Sequence, residues 1–283
     1  MAKKARGSTR KTPSLRLSVA LRAFLAAVFL AGSFLASAPA GAQDAGKLQD
    51  AGKLDAKPAS RCDVPAESLA APAPLPHVAE ALKLSRKLNI LIIGSPVGVG
   101  RSPRKSYPVV LESLLERAMA GVDVVIVNRS VSGETVATSA ERMRTEVALA
   151  RPDLLIWQVG ANDALARVPP ASYEDDLREG VRWAKDNGVD VLLVGFEANP
   201  WLHDDQEVLA VREATSRVAN EENVLYLRRY EAMQFLARTR NRVEQGDQPL
   251  PAEIGYDCMA EQLAQALAAN MVLRHTRPLP TEP

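Results

Sequence analysis

The sequence predicts one parallel α/β domain, with helices on both faces of its sheet. Two observations carry this reading. Five short apolar runs, rich in β-branched residues, have strand length rather than helix length. Amphipathic stretches of helical length separate these runs, and no hairpin signal joins any two of them.

The first run, 88–93, holds Leu88, Ile90, Leu91, Ile92 and Ile93 and stops at Gly94-Ser95. It reads as a strand buried on both faces. A small polar residue just past the carboxyl end of such a strand stands where open α/β sheets place their ligand sites. The other strands are expected at 122–127, 153–159, 189–194 and 224–227. Helices are expected at 78–87, 107–119, 137–150, 173–187, 206–220, 230–239 and 256–271. The helix from Tyr173 opens with Glu174, Asp175 and Asp176, as the helix dipole favours. The Ala- and Pro-rich stretch 65–76 reads as irregular chain on the surface.

The chain begins with an address rather than with the domain. Seven basic residues between Lys3 and Arg22 precede an apolar run, 23–38, and Ala40-Gly41-Ala42 supplies a small-residue cleavage site. Residues 1–42 are expected to be a signal peptide, with an uncleaved anchor as the alternative. Cleavage would leave no membrane span and would change the formal charge from +1 to −6, since the segment holds seven basic and no acidic residues. That balance argues against a nucleic-acid partner. Residues 43–61, with a repeated QDAGKL, read as a disordered linker, 62–273 as the domain and 274–283 as a flexible tail. The expected location is periplasmic or secreted. Cys62 and Cys258 are then expected to form one disulfide, two buried thiols being the alternative.

The residues that could carry chemistry follow the strands. Asn128 to Thr135 follows the second strand, and Gly160-Ala161-Asn162-Asp163 the third, so both share an edge with Ser95. A backbone N–H at Gly133 and the side-chain amide of Asn162 are donors of the kind that hold a developing oxyanion. Glycine lets a backbone approach a substrate closely, and asparagine donates without changing charge.

These pieces resemble the SGNH/GDSL hydrolase family. Its first block is a buried strand followed by G-D-S. Its second, N-x-S/G-x-x-G, matches Asn128 to Gly133, and its third, G-x-N-D, matches Gly160 to Asp163. Tyr107-Pro108 and Gly255-Tyr256 also look like family positions, and the resemblance runs over about 88–267. It implies a flavodoxin-like three-layer α/β/α sandwich on a five-stranded parallel sheet, the SGNH hydrolase fold. It also implies hydrolysis of acyl esters, often acetyl groups on sugars, by a Ser-His-Asp triad.

Two blocks depart from the pattern. Gly94-Ser95-Pro96 puts proline where the family has its serine. Pro96 lacks an N–H and pushes Ser95 towards extended backbone. The D-x-x-H block corresponds to Asp247-Gln248-Pro249-Leu250, so Asp247 fits and Leu250 replaces the histidine. Without an adjacent base a serine hydroxyl is a weak nucleophile. His203, in the loop after the fourth strand, is the one histidine on the correct edge, and an exposed loop residue is the plainer reading of it.

Other readings are set aside. The glycines at 94, 98 and 100 are not followed by a helix start, as a dinucleotide-binding turn requires. The pairs Asp175-Asp176 and Asp204-Asp205 read as solvated acidic faces. No cofactor or metal is expected. The sequence therefore points to Ser95, Gly133, Asn162 and Asp247 as site residues and to an acylated small molecule or glycan as partner. Two functions stand side by side: an esterase with a degraded triad, and a non-catalytic protein that binds a glycan or a protein partner.

Overall fold

The apolar runs become strands because each can bury both faces. Along β2 (Lys87–Gly94), Leu91 and Ile93 point into one hydrophobic layer while Leu88, Ile90 and Ile92 point into the other. The same alternation recurs in β4 (Leu154–Gln158) and β5 (Asp190–Val194), whose residues are all buried. This is the side-chain period of two expected of a sheet covered on both sides.

The computed structural model describes residues 62–84, 87–95, 106–196, 205–244 and 252–275. Its sheet is completed by β3 (Asp123–Asn128), β6 (Leu225–Leu227) and a two-residue strand, β1 (Ala70–Ala71). The order is β1-β6-β5-β4-β2-β3. Five strands are parallel, as the sequence predicts, and β1 adds to β6 antiparallel, with Ala70 opposite Leu227. This sixth strand lies in the stretch read as irregular surface chain. The five parallel strands have the flavodoxin-like order, and their switch point falls between β2 and β4.

The helices are α1 (Ala66–Leu69), α2 (Pro76–Leu84), α3 (Tyr107–Ala118), α4 (Val136–Ala150), α5 (Ala161–Leu165), α6 (Pro170–Asp186), α7 (Gln206–Glu221), α8 (Arg229–Glu244) and α9 (Ala252–His275). Apolar residues of α4, α6 and α7 cover one face of the sheet, and those of α2, α3 and α9 cover the other. A smaller cluster joins Cys62 and Cys258 to Met233 and Leu236 of α8. The two cysteines form the expected disulfide. Among the described residues no helix is long and apolar enough to cross a membrane.

Candidate active site

The switch point lies between the ends of β2 and β4, and the chain turns there by using glycine. Gly94, the last residue of β2, has φ +88°, and a Cβ on it would lie 2.0 Å from the Gln158 carbonyl oxygen. Only glycine fits that turn. Ser95 follows it and is half-buried. Beneath the turn, the Gln158 side-chain amide donates to the Tyr107 hydroxyl, so the start of α3 is tied to the end of β4.

The segment after β3 is held against the same turn. The Arg129 N–H donates to the Ile92 carbonyl (2.8 Å) and the Val131 N–H to the Gly94 carbonyl (3.0 Å). The Asn128 carboxamide oxygen accepts from the Ser130 N–H (3.0 Å) and hydroxyl (2.8 Å), which curls the chain away from the strand. Gly133 has φ +83° and is exposed, and among the described residues a Cβ placed on it would meet nothing within 4 Å.

From β4, Gly160 (φ +90°) turns the chain into α5. Two consecutive α5 residues then lock onto the segment from β3. Asn162 Nδ2 donates to the Glu134 carbonyl at 2.8 Å, and Asp163 Oδ1 accepts from the Val136 N–H at 3.0 Å. The first bond uses one of the two amide hydrogens of Asn162 and leaves the other for a ligand. The second places a carboxylate at the amino end of α4, where the dipole favours it. Asp163 is only 2% exposed. Burial pushes its carboxyl above the usual carboxylate range, against the opposing pull of the Val136 N–H.

The loop is also fixed from α4. The Glu134 carboxylate takes a bidentate pair from Arg142, at 2.6 and 2.7 Å. Arg142 continues to Glu146 (3.3 Å), which meets Arg129 (3.3 Å). That pairing, led by the hydrogen bond to Glu134, holds the Arg142 guanidinium above its ordinary value.

The fold thus brings Ser95, Gly133 and Asn162 to one edge. Asp247, with Pro96, His203 and Leu250, lies outside the described residues. Sequence reasoning missed the roles of Glu134, Arg142, Asp163 and the Tyr107–Gln158 pair. Asp163 stood inside a quoted motif, but nothing local in the sequence marks a carboxylate that serves a helix 27 residues away.

Residues 61–273 match the Non-GDSL lipase-like family. The chain belongs to that family. It shares the fold of a GDSL-like protein from Parabacteroides merdae ATCC 43184 (TM-score 0.51, 20% identity, 62% of this chain and 94% of the other). It is 31% identical over 121 residues to an arylesterase from Vibrio mimicus, covering 42% of this chain and 59% of the relative. It is 29% identical over 114 residues to esterase TesA from Pseudomonas aeruginosa, covering 40% and 56%. The alignments thus span less than two thirds of the length of either esterase. An acetylxylan esterase from Geobacillus stearothermophilus shares the fold, with TM-score 0.52, 20% identity and coverage of 64% of this chain and 94% of the other.

Proposed function

We propose that this chain is an exported acyl-ester hydrolase with a reduced triad, acting on an ester or O-acetyl group of a small molecule or glycan. The observation that carries the reading is the oxyanion side of the site. Among the described residues nothing crowds Gly133, and Asn162 is pinned by the Glu134 carbonyl, a bond that uses one of its two amide hydrogens. Both lie at the sheet edge where Ser95 follows the end of β2. The similarity to two esterases and the acetylxylan esterase fold support the substrate class. The basic and apolar leader and the Cys62–Cys258 disulfide support export to a periplasmic or extracellular setting.

In this reading Ser95 Oγ adds to the ester carbonyl carbon, and the Gly133 N–H and an Asn162 amide hydrogen receive the charge on the carbonyl oxygen. The alcohol leaves and water then cleaves the acyl-serine. Leu250 cannot accept the serine proton, which passes to water, and Asp247 is left without its histidine. General acid–base catalysis contributes about 10²–10⁴-fold, so turnover is slow. Oxyanion stabilisation alone still gives roughly 10³–10⁴-fold over water. Pro96 and Leu250 favour a second reading, a binding protein for an acylated glycan or a protein partner that has lost the reaction.

Fluorophosphonate labelling with peptide mapping separates the two. The esterase reading expects label on Ser95, none in Ser95→Ala, and labelling about 10²–10³-fold slower in Asn162→Ala. Absence of label beside a labelled active esterase would favour the binding protein.

A further inference from the structure

Glu134 touches both residues proposed as oxyanion donors. Its N–H side is peptide-bonded to Gly133, and its carbonyl holds the Asn162 amide at 2.8 Å. Its side chain is not a surface ornament. The carboxylate is 9% exposed and receives two hydrogen bonds from Arg142, itself 26% exposed. A bidentate guanidinium–carboxylate pair fixes orientation as well as distance. The same α4 surface reaches the other end of the loop, since Arg142 meets Glu146 and Glu146 meets Arg129 at 3.3 Å each. Arg129 in turn continues the backbone pairing of β3 with β2. Loop 129–134 is therefore held at both ends by one helix.

We infer that Arg142 is a positioning residue that acts through Glu134 to aim the Gly133 N–H and the Asn162 amide at one point. The inference rests on the proposed ester hydrolysis for its catalytic consequence, but its structural part stands alone. Without Arg142 the buried Glu134 carboxylate turns out to water. The loop then loses its side-chain tie to α4, so the Glu134 carbonyl is free to shift and Asn162 is held less firmly. Misplacing a group by about 1 Å costs on the order of 10²-fold in rate.

The test compares Arg142→Met and Arg142→Lys with Arg178→Met. Arg178 forms ion pairs with Glu174 and Glu221 on α6 and α7, so its variant controls for the loss of a charge network elsewhere. The first readout is the side-chain amide resonance of Asn162 in a ¹⁵N spectrum, assigned by its disappearance in Asn162→Asp. It is expected to move to the free-amide position in Arg142→Met, to move part-way in Arg142→Lys and to stay in place in Arg178→Met. The second is hydrolysis of p-nitrophenyl acetate, with kcat expected to fall about 10²-fold in Arg142→Met and KM to change little. An unmoved Asn162 resonance in Arg142→Met overturns the inference, as does the same shift in Arg178→Met. If the parent protein hydrolyses nothing, the esterase reading fails, while the Asn162 resonance still decides the positioning role.

Discussion

Asp163 shows how a single buried carboxylate can join two elements and still cost stability when charged. It accepts from the Val136 N–H, but burial raises its pKa above the ordinary carboxylate value. A raised folded-state pKa means that the native protein holds the proton longer than the unfolded chain does. The contribution is therefore fully present below the ordinary carboxylate pKa and is lost as pH rises through the raised value. Asp163→Asn keeps an oxygen for Val136 and removes the ionisation. It is expected to match or exceed the parent in stability at pH 7 and to abolish this part of the pH dependence. Asp163→Leu strands the Val136 N–H and should lose about 1–3 kcal/mol. Urea unfolding from pH 4 to pH 8 checks both. A parent and Asp163→Asn with parallel profiles would mean that the carboxyl titrates normally. At this scale the sequence was most legible where a residue type is forced. Gly133 and Asn162 were expected as donors from their chemistry, and Gly94 was read only as the end of its strand. Glu134 and Arg142 carried no expectation, because an eight-residue spacing that spans a turn and a helix cap gives no local signal.

The helices owe their placement to contacts that a hydropathy pattern cannot rank. Gly180 sits inside α6, where glycine is unfavourable, because a Cβ there would lie 2.5 Å from the Trp157 ring. The ring has no room to yield, since Trp157 is fully buried and its N–H donates to the Ser139 hydroxyl on α4 at 3.0 Å. Gly180→Ala is therefore expected to push α6 off the sheet. Overpacking costs about 1–3 kcal/mol, offset by up to about 1 kcal/mol of helix propensity, so the net is a loss of roughly 1–2 kcal/mol. Denaturant unfolding measures it, and an unchanged midpoint would show slack between α6 and β4. The five parallel strands were legible because each carries its own apolar run. β1 was not, since two alanines have no strand signal and pair only because Leu227 and Tyr226 lie opposite. Nor was α5, whose five residues follow a left-handed glycine and are anchored through Asn162 and Asp163.

At the scale of the whole molecule, the disulfide closes nearly the entire domain. Cys62 and Cys258 are 196 residues apart in sequence, and the bond joins the start of the domain to α9 beside α8. Its two ends could be named from the sequence because only two cysteines exist and the export expected from the leader would favour their pairing. The packing it secures was hidden, because the Ala- and Pro-rich stretch carries no periodic apolar pattern. The amino-terminal segment is held by β1, whose register is two residue pairs, by Leu69, Ala73 and Leu75 in the apolar layer shared with α9, and by the cluster around the disulfide. A loop of this length gains about 5 kcal/mol from closure in the chain-entropy account. Reduction, or Cys62→Ser with Cys258→Ser, is expected to remove up to that amount and lower Tm by roughly 10–20 °C. The loss should also be uneven. Amide exchange is expected to rise first in Ala70–Ala71 and Leu225–Leu227, where β1 caps the sheet edge, while β2 and β4 keep their protection because the parallel core does not depend on the tie. A thermal melt with and without reductant, followed by hydrogen exchange, measures both parts. Uniform exchange across all six strands would mean that the bond supports the whole sheet rather than its edge, and an unchanged Tm would mean that the packing around Cys62 holds the segment without it.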